Sequence, residues 1–136
     1  MKCVLTQQQS FCRDKLNVNV YGDRDTMGKA AASDVAEAIR ACLSGKEEVN
    51  MIFAAAPSQN ELLKYLAADE RIPWGRINAF HLDEYIGLPA GAPQLFSAFL
   101  EERLFSQRPF KSVHLMDGGA SNPAEECERY TALLKR

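Results

Sequence analysis

The feature that most limits what this chain can form is a repeated alternation of short apolar runs with longer stretches of helical spacing. Leu16–Tyr21, Val49–Ala54, Ile77–Leu82 and Lys111–Leu115 have the length and residue types of strands. Between and after them, Met27–Leu43, Gln59–Ala68, Gln94–Phe105 and a final stretch from Asn122 to the end carry apolar residues at helical intervals. Strand, helix, strand, helix repeated in this way predicts an α/β fold: three layers, Rossmann-like, with a mostly parallel sheet and helices on both faces. Val49–Ala54 reads as a buried central strand and Leu16–Tyr21 as a short edge strand. Residues 1–17, with Gln7, Gln8, Gln9 and Ser10 in their middle, read as a loosely attached arm.

Local signals supply the element ends. Asp25 or Thr26 suits the cap of the first helix, and Ser44-Gly45 its stop. Ala31, Val35, Ala38, Ile39 and Cys42 form its expected inner stripe. Ser58, with Glu61 three residues on, has the form of a capping box for the second helix. Trp74 reads as a packing residue, His114 as a polar strand position and Asp117-Gly118-Gly119-Ala120 as a flexible turn. Asn122 or Ser121 caps the last helix with Pro123 just inside it, and Cys127, Tyr130, Leu133 and Leu134 make its expected inner side.

Composition narrows the function classes. A chain of 136 residues is one domain with a substantial core, here residues 18–136 beyond the arm. A formal charge of -2, with both signs interspersed, gives no stripe for nucleic acid and no patch for a membrane. No apolar run reaches bilayer length, and the N-terminus lacks the apolar segment of a secretion signal. Cys3, Cys12, Cys42 and Cys127 are scattered without a C-x-x-C pair, so no metal site is indicated and a reducing cytoplasm is the expected setting. Cys42 and Cys127 fall at positions expected to be small core residues.

The stretch Asn78-Ala79-Phe80-His81-Leu82-Asp83-Glu84-Tyr85-Ile86-Gly87-Leu88-Pro89 concentrates the chemistry. An apolar strand ends in two carboxylates and a phenol, followed by Gly87 and Pro89, which break regular structure. Ligands of open α/β sheets bind at the carboxyl ends of strands, where adjacent carboxylates can supply a base and a neighbour that tunes it. The plain alternative has Asp83 capping a turn, Glu84 facing solvent and Tyr85 packing. The preceding crossover brings the Ala55–Gln59 turn to the same edge of the sheet, where free amides at a helix start suit an anion.

The string Phe80 to Pro89, with Gln94 and Phe99 beyond it, resembles the signature of the glucosamine-6-phosphate deaminase/isomerase family. That family belongs with the 6-phosphogluconolactonases and is similar in fold to ribose-5-phosphate isomerase. Glu126-Cys127-Glu128-Arg129-Tyr130 fits the family's Glu-Cys-x-x-Tyr helix, and the resemblance runs over roughly residues 18–136. Tyr85, where lactonases usually carry arginine, favours the deaminase branch. The resemblance implies isomerisation with deamination of an amino sugar 6-phosphate, glucosamine or galactosamine, to a ketose 6-phosphate and ammonia. Asp83 matches the general base, and Glu84 is its near neighbour in the catalytic pair. Ala56, Ser58, Gln59, Tyr85 and Gly87 fall at substrate-binding positions. No metal or organic cofactor is implied; the partner is a small sugar phosphate, and homo-oligomers are common in the family.

Two departures accompany the match. The family's Thr-Gly-Ser-Thr-Pro phosphate loop is replaced by Ala55-Ala56-Pro57-Ser58-Gln59, and Pro57 removes a backbone donor. The Gly-x-Gly-x-Asp-Gly-His region that supplies the family's second aspartate, histidine and glutamate has no counterpart, so the resemblance is to the N-terminal half of such a domain. A lactonase-like hydrolase and a non-catalytic sugar-phosphate-binding protein are the alternatives on the same fold.

Overall fold

In the computed structural model, which describes residues 7–135, the strand leading to the carboxylates is the middle of a three-stranded parallel sheet. This strand, β4 (Ile77–His81), pairs with β3 (Val49–Phe53) on one side and β5 (Ser112–His114) on the other. Alternation sends Ile77, Ala79 and His81 to one face and Asn78, Phe80 and Leu82 to the other. Ile77, Ala79, Phe80 and His81 are all buried, so both faces of β4 are covered.

The connections explain the cover. Helix α2 (Asn60–Ala67) joins β3 to β4, and α3 (Phe96–Arg103) joins β4 to β5. Two crossovers of one hand, stepping the same way across the sheet, place both helices on one face. Leu63, Leu66, Leu100 and Leu104 accordingly share one buried cluster with Ile77 and Ala79. Helix α1 (Arg24–Leu43) adds Ala32, Ala36, Ile39 and Leu43 to that cluster. Helix α4 (Pro123–Leu134) lies across the opposite face, where the Tyr130 ring meets Phe80 edge-on at 6.1 Å. The three-layer α/β architecture therefore holds. Trp74 is a core residue as expected, packed against Phe110 with ring centroids 5.0 Å apart.

Several expectations change. The arm proposed for residues 1–17 contains a strand, β1 (Gln7–Arg13), paired antiparallel with β2 (Leu16–Tyr21) in a separate hairpin. Asp14 makes the turn at φ 52°, a region that a short polar side chain tolerates. The polar run Gln7–Ser10 shows no apolar alternation, so only the pairing reveals the strand; residues 1–6, with Cys3, lie outside the described residues. Residues 16–21 are thus not an edge of the parallel sheet. β3 is not central either: among the described residues it pairs only with β4, and its Ile52 is 51% exposed.

The first helix begins earlier than its apolar spacing suggests, because Asp23 rather than Asp25 or Thr26 is its cap, accepting from the Thr26 N–H at 2.7 Å. Its buried positions are Gly28, Ala30, Ala32, Ala36, Ile39 and Leu43; of the expected stripe Ile39 is among them, while Ala31 and Val35 are half-buried and Ala38 and Cys42 are exposed. Alanines on several sides of the helix hide which side faces inward. Cys42 and Cys127 are exposed, not core, as is Leu134. Asn122 does cap α4, accepting from the Ala124 and Glu125 amides. No helix among the described residues is long and apolar enough to cross a membrane.

At Gly28 the backbone of α1 packs tightly against α2. A Cβ there would lie 2.8 Å from the Glu61 carbonyl carbon and 2.9 Å from the Leu62 nitrogen. Backbone cannot swing aside as a flexible side chain can. Gly28→Ala should therefore lose about 1–3 kcal/mol by overpacking, more than the ~1 kcal/mol that alanine gains in helix propensity. Urea unfolding of the two proteins checks the sign: the variant is expected to unfold at lower denaturant.

Candidate functional site at the carboxyl ends of the strands

Parallel pairing sets where the site lies. Phe53 and His81 are register partners, and the Leu82 N–H donates to the Phe53 carbonyl at 2.9 Å, one residue past the end of β4. The chains then part, so the Ala54–Gln59 turn and the segment from Asp83 leave adjacent strands at the same edge. The Tyr130 hydroxyl binds this edge from α4. It lies 3.0 Å from the His81 amide nitrogen, 2.9 Å from the His81 carbonyl and 3.2 Å from the His114 carbonyl, tying the ends of β4 and β5 together. Burial raises its phenol above the ordinary value against the lowering effect of the His81 backbone bond.

Asp83 and Glu84, adjacent in sequence, have different environments. Asp83 is exposed and makes no hydrogen bond or ion pair among the described residues. Glu84 is half-buried and its carboxylate accepts three backbone N–H groups: Tyr85 at 3.0 Å, Phe96 at 2.8 Å and Ser97 at 2.9 Å. Phe96 and Ser97 open α3, whose own N-cap residue, Leu95, offers no side-chain acceptor. Glu84 therefore caps α3 from twelve residues away, and the helix dipole favours its charge. Burial alone would push its carboxyl up, but the hydrogen bonds from Ser97, Phe96 and Tyr85 outweigh that and hold it below the usual value. A cap so distant in sequence leaves no local motif.

The chain after β5 walls in this segment. Gly87, at φ +84°, donates its N–H to the Gly118 carbonyl at 2.9 Å. A Cβ on Gly118 would run into the Tyr85 carbonyl oxygen and come within 3.1 Å of Glu84 Cγ, so only glycine fits. Asp117 is equally engaged: its N–H donates to Glu126 at 2.7 Å and its side chain accepts the Gly119 N–H at 2.9 Å. Arg129 and the Asp117 amide hold the Glu126 carboxyl down at about 2. The expected flexible turn at 117–120 is thus a packed wall. Tyr85 is exposed, its ring tilted against Phe96 at 4.7 Å.

On the neighbouring strand end, Ala56 is the extended residue before a single turn of 3-10 helix, Pro57–Gln59. The Gln59 N–H donates to the Ala56 carbonyl at 2.9 Å and the Asn60 N–H to the Pro57 carbonyl. Pro57 has no N–H, so the Ser58 amide and hydroxyl and the Gln59 side chain are the polar groups left for an anion. Ser58 sits within the turn, not at the cap of α2, so the expected capping box does not form. Glu61 instead takes two bonds from the Arg24 guanidinium, at 3.1 and 2.8 Å, while Arg24 also donates to the Pro57 carbonyl at 3.0 Å. That pairing holds the Glu61 carboxyl low and the Arg24 guanidinium high. The cation nearest this turn is therefore already engaged with a carboxylate.

Two histidines differ in role. His114 stacks on Phe80 at 4.7 Å and lies 3.0 Å from the Ser112 hydroxyl, which donates to Asn78 at 2.7 Å. With Asn50 beyond Asn78, these residues form a polar row across the sheet, as expected of strand positions. His81 is wholly buried; its Nε2 accepts the Met116 N–H at 3.1 Å, and its Nδ1 has no hydrogen-bond partner. Burial pushes its imidazole below 6.5, against the opposing pull of Glu84 and Asp83. Alternation places His81 on the same face as Asp83, but nothing in the sequence marks its link to Met116. Among the described residues, no three His, Cys, Asp or Glu side chains gather closely enough to hold a metal.

With this geometry in hand, comparison with known proteins gives a definite placement. Residues 22–136 match the family of glucosamine-6-phosphate isomerases and 6-phosphogluconolactonases, and the chain belongs to it. A glucosamine-6-phosphate deaminase of Lysinibacillus sphaericus is 43% identical over 58 residues, covering 43% of this chain and 26% of the relative. The Lactobacillus delbrueckii deaminase is 28% identical over 119 residues, covering 88% of this chain and 48% of its own length. Among solved structures, a monomeric glucosamine-6-phosphate deaminase superposes with a TM-score of 0.71 at 22% identity, over 83% of this chain and 47% of that one. The 6-phosphogluconolactonase of Thermotoga maritima gives 0.65 at 26% identity, over 78% and 50%. The chain therefore spans half or less of the length of each of these relatives.

The Glu84 cap has a direct test. Glu84→Ala leaves the Phe96 and Ser97 amides without acceptors and should cost about 1–2 kcal/mol, with Glu84→Gln intermediate because one oxygen remains. Since folding lowers this carboxyl, its contribution is present above the ordinary value of 4.5 and is lost as pH falls through the folded one. Thermal unfolding of wild type and Glu84→Ala should therefore converge at acid pH.

Proposed function

We infer that this chain supplies the general-base half of a sugar-phosphate isomerase/deaminase site, with Asp83 as the base. The observation that carries the reading is the contrast at the strand end: Glu84 is committed to the α3 amides, while Asp83 stands exposed and free of hydrogen bonds. A carboxylate so placed can take the C2 proton of an open-chain amino sugar 6-phosphate. The electron pair of that C–H bond forms a C1=C2 double bond as the C1=O π pair moves onto oxygen, which takes up a proton, and a proton returned to C1 then leaves a C2=N imine on the ketose skeleton. Water adds to that C2 carbon and its C–N bond breaks, which leaves the C2 ketone and releases ammonia. General-base catalysis of this kind contributes about 10²–10⁴-fold.

The other assignments follow by position. The Ser58 hydroxyl and N–H, with the Gln59 amide, face the substrate's anionic end, and the backbone at Ala56 lies beside them. Tyr85 forms a pocket wall at the mouth. Gly87 shapes that wall through its turn, since its N–H is already given to Gly118. Glu84 acts by holding the segment rather than by carrying a proton. The relatives named as deaminases support this reading, and the matched region covers 26% and 48% of their lengths.

The second reading is a lactonase-like hydrolase, favoured by the 26% identity to the Thermotoga maritima structure. Product analysis separates the two. The protein carrying this chain is expected to release ammonia from glucosamine or galactosamine 6-phosphate, with Asp83→Asn lowering kcat by about 10²–10⁴-fold at similar stability. Acid release from 6-phosphogluconolactone without ammonia would establish the hydrolase instead. Ammonia release undiminished by Asp83→Asn would remove Asp83 from the role.

A further inference from the structure

We propose that His81 is a positioning residue of the candidate site: its uncharged imidazole pins the chain after β5 to the end of β4, and so holds the backbone from which Asp83 projects. The activity readout below rests on the proposed function; the structural readout does not.

The geometry assigns the ring's state. Nε2 accepts the Met116 N–H at 3.1 Å and so carries its lone pair there. The neutral ring then bears its proton on Nδ1, which is buried without a partner. A buried donor left unpaired costs stability, and an apolar side chain of similar size would fill the space without that cost. What the histidine adds is the acceptor for Met116.

The bond to Met116 fixes more than itself. Two residues on, Gly118 packs under the Tyr85 carbonyl and against Glu84, and its own carbonyl takes the Gly87 N–H. Asp83 has no hydrogen bond to orient it, so its placement depends on its neighbours. Leu82 is bonded to Phe53 on one side, and Glu84 to Gly87 lean on the wall that His81 holds on the other.

Protonating the ring would break this arrangement. A second N–H, on Nε2, would face the Met116 N–H, donor against donor. Asp83 and Glu84, on the segment after β4, favour the charged ring, while the neutral Tyr130 ring packs from α4 at 6.2 Å. Burial outweighs the two carboxylates and keeps the ring neutral below its ordinary value of 6.5. Because folding lowers this value, the contribution to stability is complete above pH 6.5 and declines as the pH falls below it.

Two variants test the proposal. His81→Leu keeps an apolar filling but no acceptor; His81→Gln places an oxygen near the position of Nε2 and does not titrate. For His81→Leu, kcat is expected to fall about 10- to 100-fold, as a small misplacement of a catalytic group does, with KM changed less than about twofold. His81→Gln should recover most of kcat and lose the part of the acid-side decline that follows protonation of the ring, expected in wild type as the pH falls through the ring's lowered value. Wild-type kcat in His81→Leu, or an unchanged acid limb in His81→Gln, overturns the proposal. Amide hydrogen exchange reads the same link without turnover. Met116 and Gly87 should exchange faster, relative to their intrinsic rates, in wild type as pH falls, and the pH response should vanish in His81→Gln. Protection at Met116 and Gly87 that is indifferent to pH in wild type overturns the proposal. Should His81→Leu not fold, the His81→Gln profile and the wild-type exchange decide. If wild type releases neither ammonia nor acid at any pH, the proposed function fails and the exchange comparison alone decides the role of His81.

Discussion

The rest of the structure depends on β4 being covered on both faces and paired on both edges. A five-residue strand has little surface, yet Ile77 and Ala79 meet α2 and α3 on one side while Phe80 meets Tyr130 on the other. Burial on both faces demands that every backbone polar group be paired, and β3, β5 and the Tyr130 hydroxyl do this through to the strand's last residue. The chain therefore leaves the sheet from a fixed point, and Asp83 is two residues beyond it.

Past that point, order comes from side chains and turns. The Glu84 carboxylate joins the segment to α3, the Gly118 backbone lies under Tyr85, and the His81 imidazole joins the chain after β5. These contacts link the segment after β4, the start of α3 and the chain after β5. Loops are where function resides when a rigid frame positions them; here the loops brace one another as well. The exposed carboxylate is the group that this bracing leaves free.

The neighbouring turn is built differently from a phosphate loop that relies on glycine and hydroxyls. Pro57 gives up an amide donor, Gln59 and Asn60 spend theirs inside the 3-10 turn, and Arg24 is held by Glu61. Fewer donors face outward, and those that do cluster at Ser58. Family membership and the shared fold thus coexist with a turn that leaves few donors free.

The alternation of short apolar runs and helical spacing determined the fold class, because burying a strand on both faces and a helix on one leaves periodic marks that do not depend on partners. The Phe80–Pro89 string likewise pointed to the candidate site, since an apolar strand ending in adjacent carboxylates and a glycine is legible residue by residue. Tertiary structure decided the rest. The hairpin of β1 and β2 was hidden in a polar run, and the inner face of α1 was hidden among alanines until Gly28 met α2. The difference in environment between Asp83 and Glu84 could not be read locally, because the helix that claims Glu84 begins twelve residues later. His81 and Gly118 gained their meaning only when the chain after β5 came to rest beside them. Periodicity records which faces are buried; hydrogen bonds between distant segments leave no period, and only folding brings their two ends together.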